Sequence, residues 1–230
     1  MITATPMAQT LTVTRMTMNT EGLLTLAQWL SPGFPVSAYA YSHGLERVID
    51  RGALVHSADL RRWLEDVLCH GSGRSDAILL AAAYRAKPDE IADIDAVARA
   101  FAASSERLTE TAEQGAAFAR TVDAIWATGM GPLCYPVAVG RAARLKGLPL
   151  EPAITLYLHA MAAALTSVAV RLVPLGQTEG QQVLARLAPM IQDTCQEAIT
   201  SNIDDLSSTC FALDIAAMHH ETQYSKVFRT

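Results

Sequence analysis

Three places in this sequence concentrate side chains of types that carry chemistry. His219 and His220 stand next to each other near the C-terminus, Cys134 lies in a stretch rich in glycine and proline, and Ser42 precedes His43. Imidazole nitrogens and thiolates are suitable ligands for nickel and zinc. A serine close to a histidine could act as a nucleophile with its general base.

Spacing decides between these chemistries. Neighbouring residues such as Ser42 and His43 seldom meet in the geometry of nucleophilic catalysis, and no orienting carboxylate or oxyanion hole is evident in the sequence. Adjacent helical residues point about 100° apart, so His219 and His220 cannot easily share one ion. Because of its turn-like surroundings, Cys134 is expected to be the most exposed thiol. Two interpretations remain open: structural roles, or nickel held through His219, His220 or Cys134.

The usual nucleotide and catalytic signatures are absent from the sequence. There is no GxxxxGK[ST] loop, no GxGxxG, no HExxH and no CxxC. The net charge of −5 has the wrong sign for a general nucleic-acid binder. We therefore predict a protein that is not an enzyme, has no permanently bound cofactor and does not bind nucleic acid.

Helical periodicity dominates the elements that must position these residues. Apolar side chains recur every three or four positions over residues 58–70, 108–126 and 184–199, and Pro189 divides the last stretch. On the second stretch, Glu106, Glu110 and Glu113 are expected to keep the opposite face polar. The pattern predicts an all-α, single-domain bundle of roughly eight to ten helices over residues 21–230. Residues 1–20 are expected to form a poorly ordered extension.

One uncharged segment requires a membrane test. Residues 152–170 are long enough to span a bilayer, but they include six alanines, two threonines, a serine and a histidine. A helix buried on all sides of a helical core has the same composition, so we predict a core helix and no membrane span. Residues 1–20 lack the apolar core of a secretory signal, and we expect a cytoplasmic protein.

Two segments have the composition of contact surfaces. The loop at residues 31–46 holds Phe34, Tyr39 and Tyr41, and aromatic rings are good interface anchors because they lose little entropy on burial. The C-terminal stretch places Tyr224 and Phe228 among basic residues, which is unusual for a solvated chain end. Each segment either packs on its own domain or binds another protein.

At these segments the sequence resembles the UreF-type urease accessory proteins. The similarity lies in residues 29–46, with Gly44-Leu45-Glu46, in residues 171–178, and in residues 213–221 followed by 226–230. In order and spacing the matches cover the chain from about Gly22 onward. Ser37 and Lys226 stand where the family usually has glycine and arginine.

The resemblance implies an all-helical, non-catalytic homodimer that assembles with two other proteins, a UreD/UreH-type scaffold and a UreG-type GTPase. In that family the complex docks on apo-urease, and nickel is inserted as GTP is hydrolysed. The UreF-type protein bridges the components and recruits or regulates the GTPase, while nickel is handled by the assembled complex. The residues expected to bind partners are Phe34, Tyr39, Tyr41, Ser42, Glu46, Gly176, Gln177, Tyr224, Lys226, Phe228 and Arg229.

Overall fold

Helices account for all the regular secondary structure of residues 19–229, the part of the chain that this computed structural model describes. The α-helices are α1 Thr20–Trp29, α2 Leu45–Asp50, α3 Ser57–His70, α4 Ser72–Arg85, α5 Ile91–Ala100, α6 Ser105–Trp126, α7 Tyr135–Leu145, α8 Leu150–Leu172, α9 Gln177–Arg186, α10 Ala188–Thr200 and α11 Phe211–His220. Three short 3₁₀ helices are Ala38–Ala40, Pro88–Glu90 and Ile203–Asp205. Ten of these α-helices have at least ten residues and α2 has six, which confirms the predicted all-α bundle.

The first described residues already belong to the fold. Asn19 caps α1, because its side-chain oxygen accepts a hydrogen bond from the backbone N–H of Gly22 at 2.8 Å. The extension predicted for residues 1–20 otherwise falls on residues 1–18, which lie outside the described part of the chain.

Local sequence explains several helix boundaries. The apolar stripe of α3 is buried as its periodicity predicts, from Leu60 to Leu68. A single residue, Gly71, separates α3 from α4, and a Cβ there would crowd the backbone of Val67 at 3.3 Å. Pro189 stands in the first turn of α10, where its missing N–H is harmless, and the predicted break before it is confirmed.

The long apolar helix α8 organises the bundle. It packs against α1, α2, α3, α4, α7, α9 and α10. By length and composition α8 could cross a membrane, yet half of its most apolar window is buried inside the protein. The expectation of burial on all sides is therefore wrong for the other half, where His159 and Ser167 are exposed beside partly exposed Met161, Ala163 and Ala164.

An aromatic cluster joins α1 and α6 to the loop that follows α1. The ring of Phe118 lies 5.5 Å from both Trp29 and Phe34, and Trp126 lies 5.5 Å from Trp29. Phe34 is buried in this cluster. Ring packing of this kind adds to apolar burial and fixes the start of the loop against α6.

Candidate partner-binding site

The chain after α11, residues 221–229, lies against the N-terminal part of the domain; we call it the tail. The carboxylate of Glu46 accepts the backbone N–H of Val227 at 2.7 Å and that of Phe228 at 2.9 Å. One residue further on, the N–H of Arg229 donates to the carbonyl oxygen of Ala40 at 2.7 Å. The tail is therefore in direct contact with the loop at residues 31–46, which we call the aromatic loop. The two segments are far apart in the sequence.

One face of α6 supplies carboxylates for the tail. Lys226 Nζ donates to Glu106 at 2.6 Å, and the Arg229 guanidinium contacts Glu113 at 3.1 Å. Glu113 also accepts the Tyr41 hydroxyl at 2.9 Å, and burial together with this carboxylate raises the pKa of Tyr41 to about 12. These contacts attach the basic side chains of the tail to α6 and connect them with the aromatic loop.

The opposite charges of the two segments were a signal that the sequence contained. Seven helical residues from Glu106 to Glu113 rise about 10.5 Å. The tail bends at Val227 and Phe228, whose amides both donate to Glu46, so Lys226 and Arg229 are not joined by an extended strand. The opposite charges of the two pairs were visible in the sequence, but their spacing alone does not predict the docking of the tail on α6.

His220, the last residue of α11, packs against the same part of α2 and α6. Its side chain is 0% exposed, with Nδ1 2.7 Å from Glu106 and Nε2 3.3 Å from Glu46. Two of the three carboxylates that hold the tail, Glu46 and Glu106, thus also contact this imidazole. Glu221 follows and caps α6, because its carboxylate accepts the backbone N–H of Ser105 at 2.8 Å.

Gly44 allows α11 to approach α2 closely. Its φ of +76° lies in the left-handed region, and a Cβ there would be 2.6 Å from the backbone nitrogen of Ala217. Ser37, in the same loop, has φ +57°, a left-handed conformation that glycine adopts more easily than serine.

A buried group of charges lies next to the aromatic loop. The Arg107 guanidinium contacts Asp76 at 2.7 Å and Glu110 at 3.3 Å, while His43 lies 2.7 Å from Glu110 and the Tyr157 hydroxyl donates to Asp76 at 2.7 Å. The expectation of a polar solvent-facing Glu110 is wrong, since its side chain is 2% exposed.

In this group the attraction between opposite charges outweighs the desolvation penalty that opposes ionisation. Burial opposes ionisation of Glu110, but the charges of His43 and Arg107 prevail and lower its pKa. Burial likewise opposes the charge of Arg107, yet Asp76 and Glu110 raise its pKa. The Glu110 carboxylate and the Arg107 guanidinium are therefore ionised together in the core.

A cavity of about 420 Å³ separates the aromatic loop from α8. Phe34, Val36 and Met161 are among its apolar walls, and Glu110 with His43 forms part of its polar lining. A smaller cavity of about 70 Å³ is bounded by the same two side chains and by Arg107. The buried charges thus line both spaces.

The eleven predicted partner-binding residues divide into two sets. Five of them are buried in the isolated chain, namely Phe34, Tyr41, Ser42, Glu46 and Phe228, and their role in binding a partner stays a prediction. Exposed residues are Gly176, Gln177, Tyr224, Lys226 and Arg229. Gly176 caps α9 and Gln177 begins it, while the side chain of Tyr39 lies outside the described part of the structure.

The exposed apolar face of α11 was not predicted from the sequence. Phe211, Ile215 and Met218 are 70%, 50% and 49% exposed and lie on one side of the helix. Tyr224 and Val227 in the tail are exposed as well. The spacing i, i+4, i+7 was visible, but burial could not be assigned to one face of so short a helix without the structure.

The three candidate nickel ligands are not arranged to share an ion. Cys134 is buried, against the expectation of exposure, and burial raises the pKa of its thiol to about 12. His220 has both ring nitrogens within hydrogen-bond distance of carboxylates. Among residues 19–229 no group of three His, Cys, Asp or Glu side chains is placed to hold a metal.

Comparison with known proteins decides the family. The model of the UreF family matches residues 54–188, which is more than half of the chain. The urease accessory protein UreF of Roseobacter denitrificans is 64% identical over 221 residues, covering 96% of this chain and 100% of that protein. The chain belongs to the UreF family of urease accessory proteins.

Other UreF proteins are similar over nearly their whole length. Those of Ruegeria pomeroyi and Cereibacter sphaeroides strain KD131 are 51% and 52% identical over 209 residues. These alignments cover 90% of this chain and 96% and 98% of the relatives. The resemblance inferred from short motifs is confirmed, and the family's name describes an accessory role in relation to urease.

Proposed function

We propose that this UreF protein is a non-catalytic adaptor that bridges a UreD/UreH-type scaffold and a UreG-type GTPase. In this role it recruits or regulates the GTPase, and the assembled complex inserts nickel into apo-urease in the cytoplasm. The observation that carries the proposal is the contact between the tail and the aromatic loop, formed by Arg229 and Ala40. A protein that binds the tail therefore contacts a surface to which the aromatic loop contributes, and the same holds for a protein that binds the loop.

The exposed face of α11 supports scaffold binding at this end of the molecule. Phe211, Ile215 and Met218 form an apolar stripe with Tyr224 and Val227 nearby in the sequence. Exposed aromatic and methionine side chains are enriched at protein interfaces. We assign the stripe and the tail to the scaffold, and the Tyr39 turn to the GTPase.

The half-exposed face of α8 supports a homodimer. Its partly exposed residues Met161, Ala163 and Ala164 are apolar and small, which permits close helix packing between two copies. Self-association through this face would also cover the large cavity, whose wall includes the same residues. Nickel is then cargo of the assembled complex.

Co-purification with the scaffold and the GTPase from the same cell tests the adaptor role. Truncation after Ser225 removes the amides that Glu46 accepts, and we expect loss of at least one partner with unchanged helicity. A second variant, Phe211→Ser with Ile215→Ser, should lose the scaffold alone. Unchanged capture of both partners by both variants would refute the proposal.

A matched control is available on another surface. Ile125 is 55% exposed at the end of α6 and lies outside the tail contacts. Ile125→Ser removes a similar exposed aliphatic side chain, so it should leave the capture of both partners intact. If this control lost the partners as completely as the α11 variant, a general effect of surface hydrophobicity would replace the assignment to α11.

A further inference from the structure

The tail enters the core of the domain through the ring of Phe228. This side chain is 5% exposed, although Tyr224 and Val227 of the same segment are exposed to solvent. The backbone N–H of Phe228 donates to Glu46 of α2. On the ring, the guanidinium carbon of Arg171, in the last turn of α8, lies 5.3 Å from the ring centre. Two helices therefore hold the tail at one residue.

The position of Arg171 fits a cation–π contact. A guanidinium over an aromatic face, within about 6 Å of its centre, is attracted by the negative face of the ring. The Nη2 group of Arg171 donates to the Ser167 hydroxyl at 3.1 Å, which orients the side chain. Arg171 is exposed, and no carboxylate of residues 19–229 forms an ion pair with it. The ring of Phe228 is therefore the group that this charge faces.

The ring determines which residues of the tail lie at which position. The hydrogen bonds to Glu46 and to the Ala40 carbonyl use backbone N–H groups, which every residue except proline provides. They do not by themselves select one residue over the next. Phe228 adds a buried side-chain contact, and fixing its ring fixes the neighbouring Val227 and Arg229.

We propose that Arg171 is a positioning residue of the partner-binding site: its cation holds the ring of Phe228 and thereby sets the register of the tail on α2 and α6. A protein that binds the exposed side chains of Tyr224 and Val227 then depends on Arg171 without contacting it. Only this consequence rests on the proposed binding of the scaffold. The contact between the cation and the ring is a property of the isolated chain.

Amide hydrogen exchange of Val227 and Arg229 in the isolated full-length protein measures how firmly the tail is held. Arg171→Met keeps an aliphatic stem over the ring but removes the charge. We expect both amides to exchange about threefold to tenfold faster, as for the loss of a cation–π contact. Arg171→Lys keeps a cation and should recover most of the protection. Arg144→Met removes an exposed cation 5.8 Å from the Tyr84 ring, and this matched control should leave both amides unchanged.

A double-mutant cycle with Phe228→Leu shows whether the ring is the partner of the charge. Leucine is apolar but has no π face, so Arg171→Met should have almost no further effect in this background. Exchange is expressed relative to the unstructured rate of each sequence, and the amide of Leu158 in α8 reports that the bundle stays folded. Equal acceleration by Arg171→Met with and without the ring, or no recovery in Arg171→Lys, would overturn the proposal.

Capture of the scaffold tests the consequence for the partner. Arg171→Met should recover about threefold less scaffold than the wild type, Arg171→Lys should recover more than Arg171→Met, and Arg144→Met should match the wild type. Full capture by Arg171→Met despite faster tail exchange would overturn the positioning role and leave the adaptor proposal standing. Absence of capture by the wild type would refute the adaptor role and the partner consequence together, while tail exchange would still decide whether the cation holds the ring.

Discussion

The backbone N–H of Arg229 donates to the carbonyl oxygen of Ala40 across 2.7 Å, although the two residues are 189 positions apart in the sequence. Ala40 follows Tyr39 directly, so the tail supports the 3₁₀ turn that carries this tyrosine. The UreF family motif that ends in Gly44-Leu45-Glu46 thus provides both the turn and, through Glu46, the acceptor for the tail.

Replacing Glu46 should release the tail while the bundle stays folded. In Glu46→Gln the acceptor loses its charge, and hydrogen bonds to a charged group are worth roughly 1.5–3 kcal/mol. We expect exchange of the Val227 and Phe228 amides to accelerate about tenfold or more at neutral pH. Glu113→Gln, which affects only the exposed Arg229 side chain and the Tyr41 hydroxyl, is the control and should change this exchange much less.

Gly44 tests the close contact between α2 and α11. Gly44→Ala introduces both a left-handed alanine and a clash with the backbone at Ala217, whereas Gly52→Ala has the same φ sign and nothing within 4 Å. The left-handed conformation costs each variant about 1 kcal/mol. Overpacking should cost Gly44→Ala about 1–3 kcal/mol more. Urea denaturation measures both, and equal losses would show that α11 moves aside freely.

Arg107 should be essential to stability. Arg107→Met leaves Asp76 and Glu110 without their buried cation, and breaking a buried ion pair costs about 3–5 kcal/mol. Arg107→Lys keeps the charge but not the two-sided contact, so it should recover only part of the loss. Arg61→Met, which breaks a more exposed i,i+4 pair with Glu65, is the control and should unfold at nearly the wild-type denaturant concentration.

Acid should weaken the buried charge group through Glu110. Since folding lowers the pKa of Glu110, its contribution is present above the ordinary value of 4.5 and is lost as the pH falls through the folded value. We therefore expect stability to decline below about pH 4.5. Glu110→Gln should be less stable at neutral pH but should show a shallower decline in acid. Thermal unfolding at a series of pH values measures the slope, and identical slopes would contradict this assignment.

Ser37 offers a test of local strain. Its φ of +57° is unfavourable for a residue with a Cβ, so Ser37→Gly should relieve about 1 kcal/mol. Added freedom of the unfolded chain offsets part of that gain, which leaves a net stabilisation below about 1 kcal/mol. Ser201→Gly, at φ −79°, has no such strain to relieve and should lose stability in the same denaturation assay.

Sequence patterns predicted the structural features that depend only on residues close together in the chain. The stripe of α3 and the break at Pro189 followed from residues a few positions apart, and the structure confirms both. The motifs around Glu46 and Lys226 were assigned to partner binding by resemblance. They could not show that these two segments meet each other, because that contact depends on chain closure over most of the sequence.

Two predictions of side-chain exposure are wrong, because contacts with residues distant in the sequence decide burial at these positions. Cys134 stands in a turn-like stretch, but its backbone N–H binds Asp95 and the thiol is buried beside α5. Glu110 was expected on a solvated face, yet Arg107 and His43 pair with it inside the protein. A buried carboxylate becomes predictable only when the cations that stabilise it are known.

The order of synthesis determines when the tail can dock. Residues 40–46 and 106–113, which receive the tail, are translated long before residues 226–229. Domains generally fold as units during synthesis. A nascent chain that has not yet reached residues 226–229 lacks the backbone donors that Glu46 accepts, so the tail contact forms only after the rest of the domain has been translated.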